Sequence, residues 1–338
     1  MKALVWIGEN EVEIRNMAVP IPAEDEALIK VHSAGICGTD LHILDGRHPR
    51  GKKPPIVLGH EISGQIVDIQ KYKDDCVSLG DRVVVEPLIN CGHCYACKKG
   101  SREICEHLNL YGVDVQGGFA EFVVINKQAL HKIPDSLPMR TAALAEPAAV
   151  AVHAVRRSSY KTGDSACVIG GGPIGSMIAL ILHTHGCNNL VVIEPRTFRR
   201  DLLNSLGVKT LDPGTESIEK EMASAFDIVF DTAGVQPAID TAVDICKPHG
   251  SIVILALPGK NISWNHVKIV FKEIGIIGSR VYAAFDFKRA VLMLDAHSEV
   301  FEKMIFPVYK LTDGNNAFSA AKDGTEAMRV MFDMETKC

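Results

Sequence analysis

The sequence predicts an α/β protein in two parts, a β-rich part followed by one in which strands and helices alternate. The first observation is a series of strand-sized runs bounded by Gly, Pro or Asp, at 27–31, 62–69, 82–85 and 119–124. The second is a series of apolar runs separated by helix-length stretches, at 166–169, 190–193, 228–230 and 252–255. Repeated strand, helix and strand predict a doubly wound parallel sheet. Residues after about 285 continue neither pattern, which leaves open whether they pack on the β-rich part.

The composition is that of an ordinary globular protein. With 47% hydrophobic and 23% charged residues, a chain of 338 residues can form about two domains with a buried core. The 36 basic and 41 acidic residues give a net charge of −5, which argues against nucleic acid or an anionic membrane as partner and favours small molecules. An early polar N-terminus and the lack of a long apolar run predict a cytoplasmic protein. Because the cytoplasm is reducing, the ten cysteines are expected to be metal ligands, nucleophiles or core thiols rather than disulfide partners.

Four of these cysteines form the most specific motif of the chain, namely Cys91, Cys94, Cys97 and Cys105. At this spacing four thiolates can close a tetrahedral zinc shell without help from a distant segment. A closed shell leaves no position for a substrate, so the zinc would be structural. The alternative, free thiols on a loop, is disfavoured by the regular two-residue gaps and the turn-forming Gly92.

A second, dispersed set of residues is typical of a catalytic metal site. Cys37 lies in the segment GICGTDLH, His60 and Glu61 lie in GHEISG, and Glu146 lies in a stretch that is otherwise apolar. An unpaired charge in such a stretch is costly, so Glu146 needs a partner, and a metal qualifies. One sulfur, one imidazole and a carboxylate could hold zinc and leave a position for a substrate oxygen. Taken singly, a structural explanation is the stronger one for Cys37, His60 and Glu61.

A glycine-rich turn follows the first strand of the second part, with the sequence Gly170-Gly171-Gly172-Pro173-Ile174-Gly175. In a dinucleotide-binding turn, Gly170 allows the tight turn, Gly172 admits the pyrophosphate, and Gly175 permits close helix packing. Glu194 could accept hydrogen bonds from the adenosine ribose and repel a 2′-phosphate, which favours NAD over NADP. Three arginines could instead pair with a 2′-phosphate, flank the adenine or form a solvated face: Arg196, Arg199 and Arg200.

Together these motifs resemble those of the zinc-dependent medium-chain alcohol and polyol dehydrogenases, in the expected order over nearly the whole chain. The resemblance implies a GroES-like β-rich catalytic domain of residues 1–148 and 285–338. It implies a Rossmann domain of residues 149–284 that binds NAD, and two zinc ions per chain. The catalytic zinc would lie on Cys37, His60 and Glu61, with Glu146 as a further ligand or as an acceptor from zinc-bound water.

The same resemblance assigns roles to residues outside the metal motifs. Thr39 and His42 match the positions that relay the alcohol proton outward. Leu255 and Ala256, together with the segment 231–234, match parts of the chain that line the cofactor. Kinship also implies a homotetramer or a dimer, formed by edge pairing of the Rossmann sheets.

Position 146 distinguishes branches of this family. Classical alcohol dehydrogenases have a cysteine zinc ligand there, whereas the polyol branch has glutamate, as this chain does. The stretches 146–157 and 278–280 are most similar to bacterial sugar-acid members such as L-galactonate or L-idonate oxidoreductases. Basic residues could pair with an anionic substrate or form a solvated loop: Arg47, His48, Arg50, Lys52, Lys53 and Arg280.

The predicted function is therefore zinc-dependent hydride transfer between NAD and a secondary hydroxyl of a polyol, sugar acid or related small polar alcohol. Sugar phosphates, L-threonine and butanediol are alternative substrates within the family. A quinone-reductase-like enzyme is disfavoured because its relatives lack the ligands found at Cys37, His60 and Glu61. A nucleotide-binding sensor without turnover is disfavoured by the intact relay at Thr39 and His42.

Overall fold

The computed structural model describes residues 1–8, 10–48, 53–70, 76–215 and 218–334. They divide into two compact units. Unit 1 contains Met1–Glu146 and the chain from Ala283 onward, and unit 2 contains Pro147–Tyr282. The segment after unit 2, which the sequence pattern left unassigned, thus belongs to unit 1.

Unit 1 begins with short strands and few helices. Its first ten strands are β1 (Lys2–Gly8), β2 (Glu11–Asn16), β3 (Glu26–Gly35), β4 (Ile56–Val57), β5 (Glu61–Ile69), β6 (Arg82–Val85), β7 (Leu88–Ile89), β8 (Asn109–Leu110), β9 (Phe122–Asn126) and β10 (Leu130–Lys132). The helices between and after them are α1 (Gly38–Leu44), α2 (Tyr95–Lys98) and α3 (Met139–Ala142), with 3₁₀ turns at Arg102–Ile104 and Lys127–Ala129.

Unit 2 alternates strands and helices, as the sequence predicts. Its helices, the first of which starts in unit 1, are α4 (Ala145–Arg157), α5 (Pro173–Thr184), α6 (Thr197–Ser205), α7 (Ile218–Glu221), α8 (Gln236–Ile245) and α9 (His266–Lys272). Its strands are β11 (Ala166–Ile169), β12 (Leu190–Ile193), β13 (Lys209–Leu211), β14 (Phe226–Asp231), β15 (Cys246–Ile254) and β16 (Gly275–Gly278).

The chain then completes unit 1 with a mixed segment. Its elements are α10 (Ala284–Ala296), α11 (Ser298–Glu302), β17 (Ile305–Tyr309), a 3₁₀ turn (Leu311–Asp313), α12 (Gly314–Asp323) and β18 (Arg329–Asp333).

The main sheet of unit 1 joins its early and late strands. Its order is β10-β6-β5-β3-β18-β17, with β9 also paired to β3. Strand β18 is antiparallel to β3 and parallel to β17, so a late strand lies inside the sheet. The antiparallel pairing of β3 with β5 sets Gly35 opposite Glu61. Two smaller sheets, β2-β1-β4 and β7-β8, complete the unit.

Unit 2 contains a six-stranded parallel sheet in the order β13-β12-β11-β14-β15-β16. Every residue of β11 and β12 is buried, which explains why these strands are uninterrupted apolar runs in the sequence. The strand order reverses beside β11, and ligands of such sheets bind at the carboxyl ends of the strands near this switch point. The predicted α/β class with a parallel sheet is therefore confirmed. Within the described ranges, no helix has the length and apolar character needed to cross a membrane.

Candidate functional site

Three potential metal ligands converge in unit 1, near the ends of β3 and the start of β5. Cys37 precedes α1, His60 precedes β5, and Glu61 is the first residue of β5. The Cys37 sulfur, a His60 ring nitrogen and a Glu61 carboxylate oxygen all lie within 4.8 Å of one another. His60 and Glu61 are 2% and 0% exposed. The fold thus brings together three residues that the sequence suggested only as a dispersed set.

The backbone around this group has little freedom to vary. A Cβ atom at Gly35 would lie 2.1 Å from Oε2 of Glu61, so only glycine leaves room for the carboxylate. The backbone N–H of Cys37 donates to Oδ2 of Asp40 at 2.8 Å, which fixes the start of α1. Neither Gly35 nor Asp40 was singled out in the sequence, although both lie within three residues of Cys37.

Asp40 places a second carboxylate beside the histidine. Its Oδ1 atom lies 3.6 Å from Nδ1 of His60, and Asp40 is 0% exposed. Burial alone would lower the pKa of His60, but the negative charges of Asp40 and Cys37 raise it well above its ordinary value. The surroundings of the imidazole therefore favour a positive charge at this place.

A buried arginine balances Glu61. The Arg329 guanidinium, at the start of β18, pairs with Oε1 of Glu61. Burial raises the pKa of the Glu61 carboxyl, and the charges of Arg329 and His60 oppose that rise. Burial would lower the pKa of Arg329, but the negative charges of Glu61, Cys37 and Glu146 raise it. No sequence motif marks Arg329, which reaches the site only through the pairing of β18 with β3.

The donor set fits a zinc ion. Nδ1 of His60, Oε2 of Glu61 and Oδ1 of Asp40 are buried and have no hydrogen-bond partner within the part of the chain that the structure describes. Buried polar atoms without partners are costly, so such atoms indicate a further ligand. Thiolate, imidazole and carboxylate are the ligand types that zinc accepts in sites that keep an open position.

The other predicted catalytic residues lie around this group rather than in it. Glu146, on α4, is 7% exposed and is outside the three-residue group defined by the 4.8 Å separation. The Thr39 hydroxyl lies 3.7 Å from the Cys37 sulfur. His42 is exposed on α1, three residues beyond Thr39, and residues three apart share one face of a helix.

The four cysteines form a separate compact group in unit 1. Their sulfurs all lie within 4.8 Å of one another, with 3.9 Å between Cys91 and Cys97 and between Cys94 and Cys105. The two sulfurs of a disulfide lie about 2.05 Å apart, which is far shorter than these separations. Four sulfurs that each lie about 2.3 Å from one zinc ion are separated from one another by distances close to those observed. Backbone N–H groups of Cys97 and Glu106 lower the pKa of the Cys94 thiol to about 6. The group therefore fits a closed zinc shell.

The glycine turn of unit 2 has the geometry of a phosphate-binding loop. Gly170 has φ of +100°, and a Cβ atom at Gly175 would lie 1.8 Å from the Gly170 carbonyl oxygen. Gly172 is the N-cap of α5, and Pro173 and Ile174 form its first turn. A helix N-terminus reached through glycine is suited to a pyrophosphate, because its N–H groups are unpaired and no side chain blocks the approach.

Glu194 lies beside this turn and is only 3% exposed. Its carboxylate accepts hydrogen bonds from the backbone N–H groups of Gly171 at 2.7 Å and Arg196 at 2.9 Å. The Arg199 guanidinium lies 3.9 Å from the same carboxylate. Arg200 pairs with Asp212 at 2.9 Å, so the charge of this arginine is already balanced by a carboxylate of the protein.

Leu255 and Ala256 follow β15 at the carboxyl edge of the same sheet. Both backbone N–H groups donate to the carbonyl oxygen of Asp231, at 3.0 and 3.4 Å. The Asp231 carboxylate in turn accepts from the N–H groups of Ala233 and Gly234, at 3.1 Å each. These bonds fix the loops at the edge where the glycine turn also lies.

The predicted basic residues do not form one described cluster. In unit 1, Arg47 pairs with Asp45, which also pairs with Lys322 at 2.7 Å. Arg280 is exposed in unit 2. Arg50 and Lys52 lie outside the described residues. An anion-binding role for this set stays a prediction.

Comparison with known proteins identifies two family matches along the chain. The Alcohol dehydrogenase GroES-like domain matches residues 23–135, and the Zinc-binding dehydrogenase family matches residues 173–296. The chain is 32% identical over 336 residues to the 2-dehydro-3-deoxy-L-galactonate 5-dehydrogenase of Pseudoalteromonas atlantica, with 98% of each protein covered.

Two solved structures are similar over nearly their whole length. An alcohol dehydrogenase from Escherichia coli CFT073, complexed with NADH, has a TM-score of 0.90 at 26% identity, with 99% of each chain covered. A zinc-binding dehydrogenase from Sinorhizobium meliloti 1021, bound to NADP, has a TM-score of 0.89 at 28% identity, with 98% of each chain covered. The predicted GroES-like and Rossmann folds are confirmed. The chain belongs to the zinc-dependent medium-chain dehydrogenase family and is an oxidoreductase of the alcohol and polyol dehydrogenase type.

Proposed function

We propose that this protein oxidises a secondary hydroxyl group of a sugar acid or polyol, passes the hydride to NAD, and uses a zinc ion held by Cys37, His60 and Glu61. The observation that carries the proposal is the convergence of these three residues, of which His60 and Glu61 are buried and have unpartnered ligand atoms. The substrate class is taken from the relative in Pseudoalteromonas atlantica, which is named for a sugar acid.

Glu61 is the carboxylate ligand in this proposal. One of its carboxylate oxygens lies within 4.8 Å of the Cys37 and His60 donors, whereas Glu146 lies outside that group. Glu146 then has an electrostatic role, since its charge acts on Arg329. Glu146 is the alternative ligand if the open position of the metal admits a second carboxylate.

The chemistry that bound zinc supplies at such a site is Lewis-acid polarisation of an alcohol oxygen. The protein must then remove the hydroxyl proton from a buried place. Thr39, whose hydroxyl lies 3.7 Å from the Cys37 sulfur, would accept that proton and give up its own hydroxyl proton to a neighbouring water. His42, which is exposed on the same helix, would take the proton onward and release it to solvent.

A second zinc on the four cysteines is structural in this proposal. All four donors of a tetrahedral shell come from Cys91, Cys94, Cys97 and Cys105, so no position is left for a substrate. Binding there would fix the loop between β7 and β8 and contribute to folding.

The cofactor in this proposal is NAD rather than NADP. A buried carboxylate at Glu194, beside the glycine turn, disfavours the two extra charges of a 2′-phosphate. Arg199, 3.9 Å from that carboxylate, is the residue that could shift the preference toward NADP. One of the two similar solved structures contains NADH and the other contains NADP, so members of the family bind either cofactor.

The proposed assembly is a homo-oligomer formed by pairing of β16 with its copy. Strand β16 ends the sheet order of unit 2, so one of its edges has no partner strand within the described chain. Helix α9, which precedes β16 in the chain, exposes Val267, Val270 and Phe271, and β16 exposes Ile276. Edge strands flanked by exposed apolar side chains favour association. Ile276→Lys should reduce the oligomer mass measured by light scattering, and an unchanged mass would exclude this edge.

The function is tested by a substrate panel with metal analysis. Formation of NADH is measured with sugar acids, hexitols, sugar phosphates, L-threonine and butanediol, and zinc is measured in the same preparation. We expect turnover with a sugar acid or hexitol and zinc at both sites. Turnover confined to L-threonine or butanediol would move the protein to another substrate class, and binding of NAD without any turnover would favour a sensor.

A further inference from the structure

A pair of exposed histidines lies beside the four-cysteine group. His93 lies between Cys91 and Cys94, and His107 lies two residues after Cys105. Their imidazole rings are stacked, with centroids 6.0 Å apart and an angle of 25° between the ring planes. We propose that His93 and His107 form a third metal site, which is exposed and exchangeable and binds zinc or a similar transition metal.

The hydrogen bond of His93 prepares one of its ring nitrogens for a metal. Nδ1 of His93 lies 2.8 Å from the carbonyl oxygen of Cys91. A carbonyl oxygen can only accept, so Nδ1 carries the hydrogen, and the neutral ring keeps its lone pair on Nε2. Histidines that bind metals in proteins have this arrangement, in which the second nitrogen donates to a backbone carbonyl and fixes the ring. His93 therefore offers an oriented Nε2 donor.

The separation of the two rings fits a shared ion. Zinc–nitrogen bonds of about 2.1 Å put two imidazole nitrogens on one ion roughly 3–4 Å apart. The ring centroids lie 6.0 Å apart and the ring planes are 25° from parallel, so the side chains must turn about their own bonds for their in-plane lone pairs to converge on one ion. The backbone positions of both residues are set by neighbouring cysteines whose sulfurs are gathered in one group. The pair is thus held close by the fold while its side chains stay exposed.

The donor chemistry limits which ions can bind. Two imidazoles without a carboxylate suit zinc, copper or nickel and do not suit magnesium or calcium, which prefer oxygen ligands. Water completes the coordination of an exposed pair, so its affinity is below that of a closed shell of four thiolates. Zinc at this third site would therefore exchange with solvent while zinc at the four cysteines stays bound.

The test uses the zinc-loaded protein and zinc itself as the probe. Histidines are modified with diethylpyrocarbonate in the presence and absence of micromolar free zinc, and modification is measured by mass spectrometry at each position. We expect zinc to lower the modification of His93 and His107 together. His249, exposed in unit 2, is the internal control and should be unaffected.

Variants separate a shared site from two independent ones. His93→Gln should abolish the protection of His107 by zinc, and the matched control His249→Gln should leave that protection intact. Equilibrium dialysis should show one zinc fewer per chain in His93→Gln than in wild type. Unchanged modification of both histidines in zinc, or full protection of His107 in His93→Gln, would overturn the proposal. Neither measurement needs turnover or cofactor, so the result is independent of the proposed function.

Discussion

The guanidinium of Arg329 pairs with the carboxylate of Glu61 inside unit 1, although 268 residues separate them in the chain. Their side chains are 3% and 0% exposed. A buried charge that loses its partner is costly to keep, because the surrounding protein solvates it poorly. Arg329 is therefore a positioning residue for Glu61 rather than a group that touches substrate.

The first prediction removes that partner. Arg329→Met should lower the free energy of unfolding by about 3–5 kcal/mol, because Glu61 is left as an unpaired buried charge. The double variant with Glu61→Gln should recover part of this loss. Urea denaturation measures both.

A more exposed ion pair in the same unit is the control for this experiment. Arg140 pairs with Asp333 at 2.6 Å, and their side chains are 40% and 15% exposed. Arg140→Met should lower the free energy of unfolding by no more than about 1 kcal/mol, because ion pairs that solvent reaches contribute little to stability. If Arg140→Met and Arg329→Met lowered the free energy of unfolding equally, the role assigned to the buried pair would be contradicted.

The second prediction contrasts the two zinc groups. Cys37→Ser should lower turnover by at least about 100-fold, since loss of even an outer partner of a metal ligand costs 10- to 100-fold. Its melting temperature should change little, because serine also caps a helix well. Cys94→Ser should instead lower the melting temperature strongly, because a closed zinc shell contributes to folding directly.

Metal analysis and calorimetry of the same preparations distinguish these outcomes. Cys76→Ser serves as the control, because Cys76 is exposed and belongs to neither group. A Cys37→Ser protein with wild-type turnover would refute the catalytic site. A Cys94→Ser protein that melts like wild type would refute a structural zinc.

The third prediction concerns cofactor choice. Glu194→Gln keeps the size of the side chain and removes its charge, so an NADP 2′-phosphate is no longer repelled. The KM for NAD should rise by about tenfold, the cost of weakening a charged hydrogen bond by about 1.4 kcal/mol. The KM for NADP should fall. Asp212→Asn, which affects Arg200 without touching the glycine turn, is the control. An unchanged ratio of the two KM values would exclude Glu194 as the determinant.

The fourth prediction is a pH dependence that lies away from both sites. Burial alone would raise the pKa of Asp227, but hydrogen bonds from Lys247 and Ser165 lower it to about 2. A carboxyl whose pKa is lowered by folding stabilises the protein above its unfolded value of 3.8, and the contribution is lost as the pH falls toward 2. The Lys247 and Asp227 side chains are 38% and 36% exposed, so solvent screening limits the effect.

Asp227→Asn should therefore lower the free energy of unfolding by only about 1 kcal/mol at neutral pH. The difference from wild type should shrink in denaturation experiments taken down to about pH 3. A difference that grows as the pH falls would have the wrong sign and would contradict this interpretation.

The motifs that could be predicted from the sequence are those that are local in the chain. The four cysteines and the glycine turn each lie within a short segment, so spacing alone indicates their geometry. The alternating strands of unit 2 were predicted where they contain an uninterrupted apolar run. Strands β13 and β16 were not, because β13 contains one apolar residue among three and β16 has two isoleucines between glycines.

The residues that could not be predicted depend on strand pairing between distant segments. Gly35 matters because it faces Glu61 across two strands, and Arg329 matters because β18 is inserted next to β3. No spacing rule relates these positions. The grouping of Cys37 with His60 and Glu61 was predicted from the donor types together with the family resemblance, since each residue alone favours a structural explanation.

The position of β18 has a consequence for how the protein is made. The ribosome completes the whole of unit 2 before it adds β18, yet β18 belongs inside the sheet of unit 1, next to β3. Unit 2 can fold while translation continues, whereas the main sheet of unit 1 lacks β17 and β18 beyond β3 until both have been made. Glu61 consequently stays without its arginine until synthesis reaches residue 329, so the charge balance of the zinc site is among the last features of the nascent chain to form.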